Sequence, residues 1–256
     1  MIDRHAVLEK ENIKKLVLKY SVPAIAGMAV NALYNLVDRI FVGQGVGTDA
    51  LSGIAVTLPF TLTLLGFAVL IAVGTAVRVS IKIGEKKPGE AERIIGNGFT
   101  SSLIIGAVLT IACLIFMRPL LIMFGGSDVS LFFAEQYMGV LIFGTTLQMI
   151  GLTLNNSIRA EGNPIMALVT MLAGAIINTA LDPLFIFVLH LGVGGSALAT
   201  LIAQAGTALW TMWYFLNPKS LIRLKLKNLN LSFPYCATSS QSAWDRLSCR
   251  REPPSC

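Results

Sequence analysis

Residues 165–191 read "IMALVTMLAGAIINTALDPLFIFVLHL", a long apolar run with an amide, an acid and a proline inside it. About 20 apolar residues in an α-helix cross the hydrocarbon core of a bilayer, so this run is long enough to span a membrane. Asp182 lies well within the run, with Asn178 one helical turn before it and Pro183 directly after it. An ionisable group at that depth costs roughly 2.5–3.5 kcal/mol on insertion scales. The run therefore predicts a membrane span that carries a functional site.

Five further runs of similar length surround this one. The six predicted spans are 16–42, 51–77, 94–117, 131–155, 165–191 and 196–216. The whole chain is 54% hydrophobic and 13% charged, whereas a soluble domain has about 25% charged residues. Because the runs are long and lack period-two alternation, they indicate helices and not barrel strands. The predicted fold is an all-α membrane protein, a bundle of six transmembrane helices.

Basic residues cluster in alternate connections between these spans, and therefore on one side of the membrane. They are Arg4, Lys10, Lys14, Lys15, Lys19, Arg78, Lys82, Lys86, Lys87, Arg93, Arg159, Lys219, Arg223, Lys225 and Lys227. The connections on the opposite side hold Arg118 at most. By the positive-inside rule both termini are expected in the cytoplasm, for a multi-pass protein of the plasma (inner) membrane.

Three regions follow from this pattern. Residues 1–15 are predicted to be a cytoplasmic N-terminal segment and residues 16–217 a six-helix transmembrane lobe. Residues 218–256 include a polar stretch without helical or strand period, and we expect a cytoplasmic tail that is disordered or translated out of frame.

Other classes of function have little support. The net charge of +6 comes from residues between the apolar runs, so it predicts membrane orientation and no nucleic-acid partner. No GxSxG, Walker-type or HExxH motif is present, which argues against an enzyme. The cysteines and histidines form no zinc-ligand spacing, so no cofactor is expected.

The polar groups inside the spans predict an oxygen-rich site for Na⁺ or H⁺. Asn178 and Asp182 share one helical face, and Pro183 leaves the carbonyl of Thr179 without its helical donor. Asp38 is a second acid, late in the first span. Further polar candidates are Thr200, Gln204, Asn155 and Asn156.

Simpler roles remain open for several of these residues. Asp38 could pair locally with its neighbour Arg39, and Asn155 and Asn156 could end a helix. Thr200 could serve packing alone. Pro23, like Pro183, is expected to kink its helix, which can also act in gating.

Three segments carry a resemblance to a known family. Residues 23–60 ("PAIAGMAVNALYNLVDRIFVGQGVGTDALSGIAVTLPF"), 155–168 ("NNSIRAEGNPIMAL") and 177–204 ("INTALDPLFIFVLHLGVGGSALATLIAQ") resemble multidrug and toxic compound extrusion (MATE) transporters. The similarity points to the prokaryotic branch that includes DinF-like and MepA-like pumps, and extends from about residue 12 to about residue 228.

The resemblance implies an antiporter that exports cationic, lipophilic, drug-like compounds in exchange for Na⁺ or H⁺. Family members have two six-helix lobes with a substrate cavity between them, and by motif position their cation site falls on Asp38, Asn178, Asp182 and Thr200. The six spans correspond to the N-terminal lobe only, so we expect a truncated half-transporter that needs a second lobe or a homodimer. The alternatives are a non-transporting fragment or interaction partner of a full-length relative, and, last, a flippase for lipid-linked sugars.

Overall fold

The computed structural model describes residues 13–217 and 220–224, and the predictions for most of 1–15 and 218–256 lie outside these residues. The described chain is helical and contains no strand. Its helices are α1 (Ile13–Gly45), α2 (Thr48–Gly84), α3 (Pro88–Met123), α4 (Asp128–Ala160), α5 (Pro164–Pro183), a π-helical turn (Leu184–Val188) and α6 (Gly192–Leu216).

All six α-helices are long and apolar enough to cross a membrane, α5 together with its π-helical turn, which confirms the predicted fold class. Large aliphatic side chains cover the outside of the bundle, and Leu70 is 73% exposed. Such a surface is stable only in lipid.

Short turns join the helices into an up-and-down bundle, and side chains cap the starts of two of them. Ser127 and Ser130 form a reciprocal capping box at the start of α4, and the side chain of Asn163 accepts the amide of Met166 at the start of α5. These caps satisfy amide groups that a helix start otherwise leaves without a partner.

Helix α4 lies at the centre of the bundle. It packs against α2, α3, α5 and α6. Half of the residues in its most apolar 18-residue stretch are buried, whereas the corresponding share is 17% in α1 and in α3. Helix α1 lies at the edge and packs mainly against α5. The ring around α4 therefore forms the stable core, and α1 is the most weakly attached helix.

Small residues permit close helix contacts. A Cβ on Gly106 of α3 would lie 2.8 Å from the Cα of Thr146 in α4. A Cβ on Gly174 of α5 would lie 2.5 Å from Cγ2 of Thr207 in α6. Both distances are below van der Waals contact, so these crossings require glycine.

All six helices differ from their predicted bounds, and two of the differences have a clear physical cause. Helix α2 continues to Gly84, beyond the apolar run that ends at residue 77, because charged side chains support its last turn. There Lys82 Nζ lies 2.9 Å from both Glu85 and Glu90, and this lysine, together with Lys87, lowers the pKa of Glu85. The predicted span 165–191 is not one α-helix, since the α-helical hydrogen bonds stop at Pro183.

Candidate functional site

Pro183 changes the backbone geometry next to the buried acid. It lacks an amide proton, so the carbonyl of Thr179 has no i+4 donor. The following turn is wider than an α-helix, with the amide of Leu189 donating to Leu184 O at 3.0 Å. Single π-turns inside membrane helices often occur at functional sites. Here the turn places Asp182 at the point where the regular helix ends.

Asp182 is completely buried. Its side chain has 0% exposure, and no group in the described part of the chain donates a hydrogen bond to either carboxylate oxygen. Instead it faces the carboxyl group of Asp38, which can donate only when it is protonated. A buried carboxylate without donors is strongly unfavourable, so this position requires a proton or a bound cation.

Asn178 and Thr200 extend the site on one side of Asp182. Asn178 is 1% exposed, and its Nδ2 donates to Thr200 Oγ1 at 3.2 Å. Its Oδ1 has no partner in the described chain. With the amide proton engaged by α6, this oxygen is free to act as an acceptor or as a cation ligand.

Asp38 reaches the site from α1. It is 7% exposed and accepts a hydrogen bond of 2.5 Å from Ser196 Oγ. Its neighbour Arg39 is exposed, and among the described residues no ion pair joins the two side chains, although the positive charge of Arg39 acts on Asp38 electrostatically. Adjacent residues of a helix point to different faces, which explains the separation.

The structure thus brings Asp38, Asn178, Asp182 and Thr200 together from three helices. Carboxylate, amide and hydroxyl oxygens are ligands for hard cations, and a carboxyl pair can also share a proton. Two carboxylates this close repel each other unless a cation or a proton lies between them. The arrangement fits Na⁺ or H⁺.

Ser196 was not among the predicted residues, although it precedes Thr200 by one helical turn and so shares its face. Tyr137 of α4 was also missed; it is buried within electrostatic range of both acids. Both are ordinary span residues by type, and only the three-dimensional neighbourhood distinguishes them.

The predicted secondary residues divide into two groups. Asn155 is buried and joins α4 to α5, because its Nδ2 donates to Ala167 O at 3.0 Å and to Thr170 Oγ1 at 2.6 Å. Asn156 donates to Leu152 O in its own helix, and it does not reach the acid pair. Asn155 therefore has a clear structural role.

Gln204 lies on α6, one turn after Thr200, and faces a cavity of about 150 Å³. The cavity extends between α1, α4, α5 and α6 and is also lined by Tyr34, Asn155 and Asn178. Oε1 of Gln204 has no hydrogen-bond partner in the described chain and rests against Gly144. Asn178 and Thr200 thus border a chamber large enough for several waters.

Pro23 lies within α1, which is assigned as one helix from Ile13 to Gly45. Whether it kinks that helix stays a prediction. Pro183, in contrast, is followed directly by the π-helical turn.

Known proteins similar to this chain are membrane transporters. The family model MatE matches residues 23–184. The multidrug export protein MepA of Staphylococcus haemolyticus is 28% identical over 220 residues, covering 86% of this chain and 49% of that protein. MepA of Staphylococcus aureus is 25% identical over 219 residues, with the same coverage.

Solved structures agree. A MATE transporter in a bent conformation shares 28% identity with a TM-score of 0.81, covering 87% of this chain and 50% of that one. A MOP-superfamily transporter from Pyrococcus furiosus shares 29% identity with a TM-score of 0.82, covering 89% and 50%. The chain spans about half the length of the relatives it matches. It belongs to the MATE family of multi-pass membrane transporters and not to an enzyme family.

Proposed function

We propose that this chain provides the cation-binding lobe of a multidrug exporter driven by Na⁺ or H⁺. The observation that carries the proposal is the fully buried carboxylate of Asp182, which faces Asp38 and has no donor in the described chain. Asn178 and Thr200 complete the oxygen set. The names of the related multidrug export proteins support the transport role.

The acid pair couples the cation to helix movement. With both carboxylates charged, α1 and α5 repel each other at Asp38 and Asp182. A proton or Na⁺ between them removes this repulsion and draws α1 towards α5 and α6. Because α1 is weakly attached elsewhere, it is the helix that moves, with Pro23 and Pro183 as the flexible positions.

That movement acts on the cavity. Tyr34 and Asn31 line it from α1, Asn178 lines it from α5, and Gln204 lines it from α6. Moving α1 changes the width of the chamber and so its affinity for a substrate. An aromatic ring among neutral amides suits a lipophilic cation, because the ring face attracts positive charge and the amides supply acceptors.

The proposal includes a second lobe, supplied by another chain or by a second copy as a homodimer. The matched relatives are about twice as long as the matched region, and their N-terminal half corresponds to it. We place both termini in the cytoplasm of a cell with the bundle in its plasma membrane. The support is the basic residues of the α2–α3 turn and Arg159, which lie at the same end of the bundle.

Ethidium efflux from pump-deficient cells that express this chain tests the function. We expect efflux from cells with the wild-type chain, no efflux with Asp182→Asn, and normal efflux with Asp49→Asn. Asp49 is an exposed acid in the first turn of α2 and serves as the matched control. Equal efflux from all three would remove Asp182 from the mechanism. Absence of efflux despite confirmed insertion would favour the non-transporting fragment.

A further inference from the structure

The chain that leaves α6 folds back onto the bundle. Ile222 is 0% exposed and belongs to the same apolar cluster as Phe215 near the end of α6. The amide of Leu224 donates to Phe215 O at 3.2 Å. Residues 220–224 therefore pack against the lobe although they form no helix.

A buried acid holds this segment. Glu161 follows α4 directly and is 4% exposed. Its Oε1 accepts the amide of Leu221, and both of its carboxylate oxygens lie within 3.1 Å of Ser220 Oγ. The hydroxyl of Ser220 has one proton, which it can donate to Glu161 or to Ile222 O. The amide of Leu221 donates to Glu161 in either case.

A second acid adds to the attachment from another helix. Glu92 of α3 accepts the amide of Arg223 at 3.3 Å. The two carboxylates bind successive parts of one short segment, while Ile222 between them inserts into the core. Charge-assisted hydrogen bonds of this kind are about twice as strong as neutral ones.

We propose that residues 220–224 form a strap, and that Glu161 is the positioning residue that fixes the strap to the turn between α4 and α5. Helix α5 begins at Pro164, just after this turn, and carries Asn178 and Asp182 at its other end. The strap sets the direction in which the chain leaves the lobe. The attachment itself does not depend on the proposed cation site.

Limited trypsin digestion of the full chain in lipid nanodiscs tests the attachment. The measured quantity is the rate of cleavage after Arg223 divided by the rate after Lys86 in the exposed α2–α3 turn, both followed by mass spectrometry. Glu161→Ala should raise this ratio at least about tenfold, because cleavage follows local opening of the strap. Glu161→Gln keeps one acceptor oxygen but loses the charge, so it should give a smaller rise.

Glu135→Ala is the matched control, since Glu135 lies near the start of α4, at the end remote from Glu161, and contacts Arg118. It should leave the ratio unchanged. Asp182→Asn should also leave it unchanged, which separates this proposal from the proposed function. An unchanged ratio in Glu161→Ala, or equal increases at both cleavage sites, would overturn the strap. If Glu161→Ala does not insert, an unchanged ratio in Glu161→Gln overturns it as well.

Discussion

Replacing Asp182 with asparagine separates the charge of the acid from its shape. Asparagine has nearly the same size, so the packing at the end of α5 is preserved. The buried negative charge disappears, and with it the repulsion from Asp38. The cation-free protein should therefore become more stable, while its stabilisation by a cation should be lost. Few substitutions change these two quantities in opposite directions.

The size of the effect follows from Coulomb's law. Two unit charges about 4 Å apart interact by about 4 kcal/mol at an effective dielectric constant of 20. Losing an attraction of this size between Na⁺ and the Asp182 carboxylate weakens Na⁺ binding by about 10³-fold. A cation at about 100 times its dissociation constant stabilises the wild type by about 2.7 kcal/mol. For a chain of this size that is a rise in melting temperature of roughly 5–10 °C.

Thermal unfolding of the purified chain in detergent measures this. We expect the wild type and the control Asp49→Asn to melt higher as Na⁺ is raised at constant ionic strength, and Asp182→Asn to show no change. If the coupling ion is H⁺, a series at falling pH replaces the Na⁺ series, with the same contrast between variants. The reasoning is refuted if Asp182→Asn retains the wild-type response to both ions.

Three further substitutions probe the surroundings of the acid pair by the same thermal assay. Ser196→Ala removes the donor to Asp38 and should lower stability by about 1.5–3 kcal/mol while keeping a cation response; no loss would mean that water replaces the hydroxyl. Gly144→Ala places a Cβ onto Oε1 of Gln204 and should lower stability by about 1–3 kcal/mol. Adding Gln204→Ala should restore most of that stability, and no restoration would mean that the clash lies elsewhere. Asn155→Leu removes two hydrogen bonds between α4 and α5 and should lower stability by about 1–3 kcal/mol. The cation response should remain, and its loss would show that Asn155 takes a direct part in cation binding.

The fold class was predictable because membrane helices are specified locally. Each span must bury its own backbone groups and cover itself with apolar side chains, so its length and composition suffice to identify it. The ends were less predictable. Helix α2 extends past its apolar run because the ion pairs of Lys82 replace hydrophobicity there, and α5 stops early because Pro183 cannot donate.

The sequence analysis named all four residues of the candidate site, and a local pattern placed two of them together. Asn178 and Asp182 are one turn apart in an apolar run, which places them on one face without any knowledge of the fold. The bond between Ser196 and Asp38 joins residues far apart in the chain, and Glu161 holds its strap in the same way. No local pattern encodes such contacts. A serine in a span and a glutamate after one are common, and only their partners give them a role.

The position of Asp38 explains why a cation could act on this lobe as a whole. Helix α1 is largely lipid-exposed. Among its described side chains, Asp38 alone forms a hydrogen bond to another helix, the bond that it accepts from Ser196. The charge of the acid pair therefore acts at the contact between α1 and α5, and α1 has few contacts with α2 or α6 to oppose it. In the α4-centred core the same change would be resisted by close packing on every side. A small local free energy can thus move a whole helix, and with it one wall of the cavity.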